Sequence, residues 1–237
     1  MRILGFNGSP RKYGNTAKLL YLALKAAEEE GAETKVFHLY DYRIEPCLGC
    51  LSDEQLACRY PCVIEDDMKQ LYDEILEADG FIIATPIYWY APSGVTKNFI
   101  DRLTAFENMI FIEGRSLLEG KVAGLIAVGN DVGAIQLLST LGTTLNTMGM
   151  LLPPWSVAYY SEKGEVLENE QAVLDALNVG RALALAVKEE HIASWYSTKY
   201  KERLDDLKRD VFTYAEEMKR KQFSERWKAI SRLLEER

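Results

Sequence analysis

Four cysteines fall between Cys47 and Cys62, in the order Cys-x2-Cys-x7-Cys-x3-Cys. They are too clustered to staple a chain of 237 residues, so they point to a local metal or redox centre in a reducing compartment. Four thiolates also suit structural zinc, Cys47 and Cys50 have the spacing of a labile dithiol pair, and free cysteines without a ligand are a further alternative. A second candidate is Asn7-Gly8-Ser9-Pro10-Arg11-Lys12-Tyr13-Gly14-Asn15-Thr16, which leads an apolar run into an amphipathic segment. Free backbone N–H groups and the dipole at such a helix start favour an anion, and Ser9, Asn15 and Thr16 add side-chain donors. A phosphate fits this loop, although the spacing matches neither the Walker pattern nor Gly-x-Gly-x-x-Gly.

Two further loops carry binding chemistry. Thr85-Pro86-Ile87-Tyr88-Trp89-Tyr90-Ala91-Pro92-Ser93-Gly94 sets three consecutive aromatic residues between prolines. That is a stiff wall for a flat ring system, the alternative being core filling or an oligomer interface. Gly129-Asn130-Asp131-Val132-Gly133-Ala134 offers small residues that let backbone approach a ligand closely. His38 and His191 are too few and too scattered for a metal centre or a triad, and read as structural. Asp66 and Asp67 read as first-turn carboxylates that complement a helix dipole, while Lys97, Asp101 and Arg102 read as surface or interface ion-pair residues.

These loops need a scaffold, and the chain alternates strand-like and helix-like segments. Strands are expected at Arg2–Phe6, Thr34–Leu39, Gly80–Ala84, Lys121–Gly129 and within Leu151–Tyr159. Helices are expected at Asn15–Glu30, Glu65–Glu77, from Gly94 to about Phe106, at Ala134–Met148 and at Glu168–Glu190. Five strands with intervening helices make an α/β three-layer, doubly wound sandwich, which binds ligands at the carboxyl ends of its strands. A boundary is expected near 190/191. Beyond it, residues 199–237 hold 12 Lys and Arg against 9 Asp and Glu, a net of +3, and the first 198 residues hold 16 against 27, a net of −11. Within this C-terminal helical extension, Tyr200, Leu204, Leu207 and Val211 form one apolar stripe and Phe223, Trp227, Ile230 and Leu234 a second. The stripe packs either on its own domain or on another subunit.

Composition narrows the function. With 48% hydrophobic residues and a net charge of −8, the chain has a globular core but lacks the charge to bind nucleic acid or anionic lipid as its main partner. Apolar stretches such as Val122–Val128 fall far short of the ~20 residues a transmembrane helix needs, and no signal-peptide pattern opens the chain, so a cytoplasmic location is expected.

Gly8-Ser9-Pro10-Arg11 with Gly14-Asn15-Thr16, and Pro86-Ile87-Tyr88-Trp89 with Ser93-Gly94, resemble the NADPH-dependent FMN reductase family of flavodoxin-like proteins over roughly residues 1–190. The resemblance implies a flavodoxin-like domain over 1–190 whose five-stranded parallel sheet has the order 2-1-3-4-5. It implies FMN, with its phosphate held by Ser9, Arg11, Gly14, Asn15 and Thr16 and its ring bordered by Pro86, Ile87, Tyr88, Trp89, Asn130, Asp131, Gly133 and Ala134. Pro46-Cys47-Leu48-Gly49-Cys50, followed by Cys62-Val63-Ile64-Glu65, is similar to the iron-sulfur flavoprotein branch, whose cysteines hold a [4Fe-4S] cluster near the flavin. That branch has its third cysteine three positions after the second, whereas here Cys58 is displaced into a longer loop, a change that costs little closure entropy. The implied activity is an oxidoreductase passing electrons from NAD(P)H or a ferredoxin-type donor to a quinone, flavin or similar acceptor. The alternative is a non-enzymatic electron carrier or flavin-binding regulatory module. The aromatic loop and the tail each offer apolar surface, so a homodimer or homotetramer is expected.

Overall fold

The computed structural model describes residues 1–188 and 199–235. Strands β1 (Arg2–Asn7), β2 (Glu33–His38), β3 (Gly80–Pro86), β4 (Val122–Val128) and β5 (Val157–Tyr160) form one parallel sheet in the order β2-β1-β3-β4-β5. Helices α1 (Asn15–Glu29), α2 (Met68–Glu77), α3 (Gly94–Arg102), α4 (Ala134–Thr147) and α5 (Glu170–Val187) connect and close it, and α6 (Leu204–Glu235) follows. This is the three-layer, flavodoxin-like sandwich with a C-terminal helix that the sequence leads one to expect.

Side chains leave a strand alternately to its two faces, and here both faces are covered. Ile3, Ile82, Ala84 and Ile126 join Leu19, Leu20 and Ala23 of α1 and Val173 and Leu177 of α5 in one core. Leu4, Phe6, Phe81, Ile83 and Leu125 join Leu71 and Ile75 of α2, Phe99 of α3 and Leu141 of α4 in the other. Thus α1, which starts from the loop after β1, and α3, which starts from the loop after β3, lie on opposite faces. Their starting loops face each other across a crevice at the carboxyl edge of the sheet.

Three element boundaries differ from the sequence expectation for identifiable reasons. Helix α2 begins at Met68 rather than Glu65 because the preceding acids are engaged elsewhere. Asp67 Oδ2 accepts from Arg43 N at 2.7 Å, and Asp66 Oδ2 from Glu45 N at 2.8 Å. The helix after β3 ends at Arg102, and two one-turn helices, Thr104–Glu107 and Ile110–Glu113, complete the connection. Strand β5 starts only at Val157, since Pro153 and Pro154 lack the N–H groups a sheet ladder needs; Leu151 makes an isolated parallel bridge to Val122.

The two tail stripes behave differently. Tyr200, Leu204, Leu207 and Val211 are buried in the α1–α5 core, whereas Phe223, Trp227 and Ile230 are exposed. The expected boundary near 190/191 and His191 lie outside the described residues. Among the described residues, no helix is long and apolar enough to cross a membrane.

Helices α1 and α5 approach so closely that a Cβ at Gly180 would collide with the carbonyl of Ala23. Gly180→Ala therefore forces apart the helix that presents the first loop. Its urea midpoint should fall by an amount equivalent to about 2 kcal/mol, within the range of overpacked cores; an unchanged midpoint would show that the helices separate freely.

Candidate functional site

The chain turns sharply out of β1. Gly8 N donates to Ala84 O at 2.8 Å, Ser9 N to Asn7 Oδ1 at 3.0 Å, and Arg11 N to Ser9 Oγ at 3.2 Å. Gly8 has no room for a side chain, because a Cβ there would meet the Thr96 hydroxyl. Ser93 Oγ, fully buried, donates to Gly8 O at 2.7 Å and lies 2.9 Å from Thr96 Oγ1, while Ser93 N donates to Thr85 Oγ1 at 3.1 Å. The start of α3 and the turn out of β1 are thereby locked together.

The turn out of β1 borders a cleft of about 240 Å³. Ser9, Arg11, Gly14, Asn15 and Thr16 line it from one side, Pro86, Ile87 and Tyr88 from the other, and Val128, Gly129, Asn130 and Gly164 close its end. Helix α1 enters it uncapped: Gly14 makes no side-chain cap bond, and no acid stands in the first turn. Unsatisfied N–H groups and the positive end of the helix dipole, with Arg11 beside them, are the donor set an anion requires.

Nine of the thirteen residues read from the sequence line this cleft, and four do not. Trp89 is 95% exposed. It and Tyr90 have φ of 51° and 65° in a tight turn closed by Tyr88 N to Ala91 O at 2.9 Å, which directs the indole to solvent. Left-handed backbone at bulky residues costs about 1–3 kcal/mol each and gathers at functional loops. Gly133 lies behind the aromatic loop, where an added Cβ would be 3.0 Å from Tyr90 Cδ1, and Ala134 is buried in the first turn of α4. Asp131 is exposed and accepts from Val132 N. Gly129, named in the sequence with its loop, lines the cleft as well, while the sequence reading missed Val128 and Gly164. Gly164 enters through its carbonyl, which accepts from Asn15 Nδ2 at 2.8 Å, so the Asn15 side chain joins the loop after β5 to the start of α1.

His38 is structural. It sits at the end of β2 with Nδ1 2.9 Å from Asn7 Nδ2 and Nε2 3.4 Å from Tyr21 Oη. Burial, with the charge of Lys12, lowers its pKa to about 4 against the pull of Asp41, so the ring is neutral at pH 7. Because Asn7 Oδ1 already accepts from Ser9 N, its amide must donate to Nδ1, which leaves the ring proton on Nε2.

The four cysteines converge on a second pocket, also about 240 Å³, and all four line it. None is in a disulfide. Burial raises the Cys58 thiol to about 11, and Cys47, Cys50, Cys62 and Glu107 push in the same direction, which shows how closely the sulfurs gather around it. Among the described residues, no group of three or more His, Cys, Asp or Glu is arranged to hold a metal ion. What the four thiols share is the lining of one pocket, a soft donor set of the kind that zinc and iron-sulfur clusters take. Asp101 and Arg102 at the end of α3, and Thr104 and Ala105 of the one-turn helix that follows, also line this pocket. Helix α3, nine residues and roughly 13 Å long at 1.5 Å per residue, thus runs from the junction of Ser93 with Gly8 to the cysteine pocket.

What holds the cysteine segment is a set of buried polar anchors. Asn108 Nδ2 donates to Gln55 O and Cys58 O, both at 2.7 Å, and Asn98 Nδ2 to Ile44 O at 3.0 Å. Arg102 is no surface residue: its side chain is 1% exposed and forms a two-pronged pair with fully buried Asp66, at 2.6 and 3.2 Å. Asp66 Oδ1 also accepts from Met68 N at 3.1 Å, so a first-turn role is real but secondary. Lys97 and Asp101 do form the exposed i,i+4 pair expected of one helix face. Sequence reasoning saw Asp66 and Arg102 but could not pair them across the fold, and Asn108 gave no signal.

A family model described as NADPH-dependent FMN reductase matches residues 1–163. An iron-sulfur flavoprotein from Archaeoglobus fulgidus is 31% identical over 192 residues, covering 81% of this chain and 82% of that protein. An iron-sulfur flavoprotein from Methanosarcina thermophila is 31% identical over 156 residues, 64% of this chain and 76% of that one. Among solved structures, RosB with a bound 8-demethyl-8-formylriboflavin-5'-phosphate intermediate superposes with a TM-score of 0.64 at 22% identity, over 89% of this chain and 87% of that chain, a likeness of fold.

Burial works to raise the Asp66 carboxyl, but hydrogen bonds from Arg102 and from Glu45 N and Met68 N outweigh it and hold the group below its ordinary value. A depressed carboxylate contributes stability that is complete well above pH ~4 and is lost as pH falls through the folded pKa. Asp66→Asn leaves Arg102 buried and unpaired and should cost about 3–5 kcal/mol at pH 7. Urea melts should show the gap to the unaltered chain narrowing as pH is lowered toward 3; a gap that stays constant would mean the pair is not coupled to folding.

Proposed function

We propose that this chain, which belongs to the NADPH-dependent FMN reductase family, is an FMN-dependent oxidoreductase of the iron-sulfur flavoprotein kind, passing electrons between NAD(P)H or a ferredoxin-type donor and a quinone, flavin or similar acceptor. The observation that carries the reading is the cleft that joins an uncapped helix N-terminus to an apolar wall, the two ends of a flavin mononucleotide.

In this reading the N–H groups at the start of α1 and the Arg11 guanidinium hold the phosphate, and Ser9 contributes its hydroxyl proton, its oxygen already accepting from Arg11 N. Pro86, Ile87 and Tyr88 would border the ring, while Gly129 would let main chain come close. Hydride and single-electron chemistry would be supplied by the flavin, so the chain needs to bind, orient and shield it, and no acid-base residue is required. Cys47, Cys50, Cys58 and Cys62 would hold a [4Fe-4S] cluster in the second pocket. The soft donor set lining one pocket favours it, and Asp66, Arg102 and Asn108 fix the segment that brings the thiols together.

An anaerobic spectrum of the purified protein, with iron and acid-labile sulfide measured on the same sample, tests both cofactors. Flavin bands with about four irons per chain are expected, as a [4Fe-4S] cluster requires, and Cys58→Ser should remove most of the iron while leaving the flavin. Flavin without iron would reject the cluster, and a colourless protein that takes up no FMN would reject the reading as a whole. Steady-state oxidation of NADH and NADPH with ferricyanide or a quinone should run at about one per second or faster with at least one donor. Turnover far below that with every donor, ferredoxin included, would leave a carrier instead of an enzyme.

A further inference from the structure

The tip of the first loop is held by residues more than 200 positions away. Gln222 Nε2 donates to Pro10 O at 3.2 Å and Arg226 Nη1 donates to the same oxygen at 3.0 Å, while Lys12 N donates to Gln222 Oε1 at 3.2 Å. Both lone pairs of one loop carbonyl and the N–H two residues on are thus satisfied by a single face of α6. Upstream, the same helix is fixed to the body of the fold by buried Leu204, Leu207, Val211 and Ala215. Tyr214 there bonds Tyr21, whose hydroxyl reaches His38, which reaches Asn7, which accepts from Ser9 N. Two separate lines of hydrogen bonds therefore run from α6 to the loop between Asn7 and Asn15. The C-terminal half of α6 is not held by burying its aromatic residues, since Phe223 and Trp227 are about half exposed.

We propose that α6 is a latch for the phosphate loop, with Gln222 and Arg226 as positioning residues that hold Pro10 to Lys12 in the anion-binding shape before the ligand arrives. This rests on the reading of that loop as the FMN phosphate site. A loop already held in its bound shape pays no ordering cost on binding, so the latch strengthens the hold on a phosphorylated flavin. Linkage makes the effect mutual: a bound phosphate must hold α6 down by the same factor. The latch acts through the phosphate loop, so it should leave a flavin lacking the phosphate unaffected.

The full-length chain, freed of flavin, is titrated with FMN and with riboflavin by quenching of flavin fluorescence. The pair Gln222→Ala, Arg226→Ala should raise the Kd for FMN about tenfold, equivalent to about 1.4 kcal/mol, and change that for riboflavin less than twofold. Gln222→Ala alone should give part of the loss, and Arg226→Lys, which keeps a donor and the charge, should restore most of it. In the unaltered chain, FMN but not riboflavin should slow tryptic cleavage at Lys219, Arg220 and Lys221, a readout independent of turnover. An FMN Kd unchanged within twofold in the double variant would overturn the latch. So would a silent Gln222→Ala, which would reduce Arg226 to a bare charge, or equal losses for FMN and riboflavin with a lowered urea midpoint, which would make α6 general support. An unaltered chain that binds no FMN would instead overturn the underlying reading of the site.

Discussion

One buried hydroxyl holds the site together. Ser93 Oγ, at the first turn of a helix on one face of the sheet, donates to Gly8 O at the exit toward a helix on the other face. In a doubly wound sheet the connections after β1 and β3 must diverge, which opens a crevice; without a tie its width would be free. The bond is possible only because residue 8 is glycine, for any side chain there would displace Thr96 and with it Ser93. The crevice so fixed presents a helix start on one wall and Pro86 to Tyr88 on the other, so the tie sets how far a phosphate lies from a ring.

The same helix carries the second site at its other end. Arg102 closes α3, and its pairing with Asp66 brings the chain after β2 and the approach to α2 under the cysteine pocket. Arg102 Nη1 also donates to Glu45 O, so the guanidinium ties both flanks of the cysteine segment. A buried ion pair contributes little net stability compared with apolar packing, yet breaking it by removing one partner is costly. Its value here is positional. It fixes an irregular stretch that has no sheet and little core of its own, and the longer Cys50 to Cys58 loop is tolerated because Asn108 satisfies two carbonyls within it.

Much of this was legible in the sequence, and the limits have physical causes. Short apolar runs alternating with amphipathic segments located all five strands and the main helices, and the glycine and proline punctuation identified both cleft walls. What failed was direction and partnership. Trp89 belongs to an aromatic run, but left-handed backbone at two successive residues turns it outward, and nothing in the types of residues 88–91 announces that turn. Asp66 reads as a first-turn carboxylate and Arg102 as a surface or interface ion-pair residue because pairing across 36 positions depends on tertiary approach, and Gly164 contributes through a carbonyl, which no residue type reveals. The tail showed two apolar stripes alike in spacing, yet the first is buried with α1 and α5 while Phe223, Trp227 and Ile230 of the second are exposed, a difference that spacing alone does not carry.

The central claim is that the start of α1 and the loop before it hold the phosphate of a flavin mononucleotide. A crystal structure of the chain grown with FMN tests it most directly. The account predicts the phosphate within hydrogen-bond distance of backbone N–H groups at Asn15 and Thr16 and of the Arg11 guanidinium, with the ring against Ile87 and Tyr88. A phosphate elsewhere, with this loop facing only solvent, would contradict it.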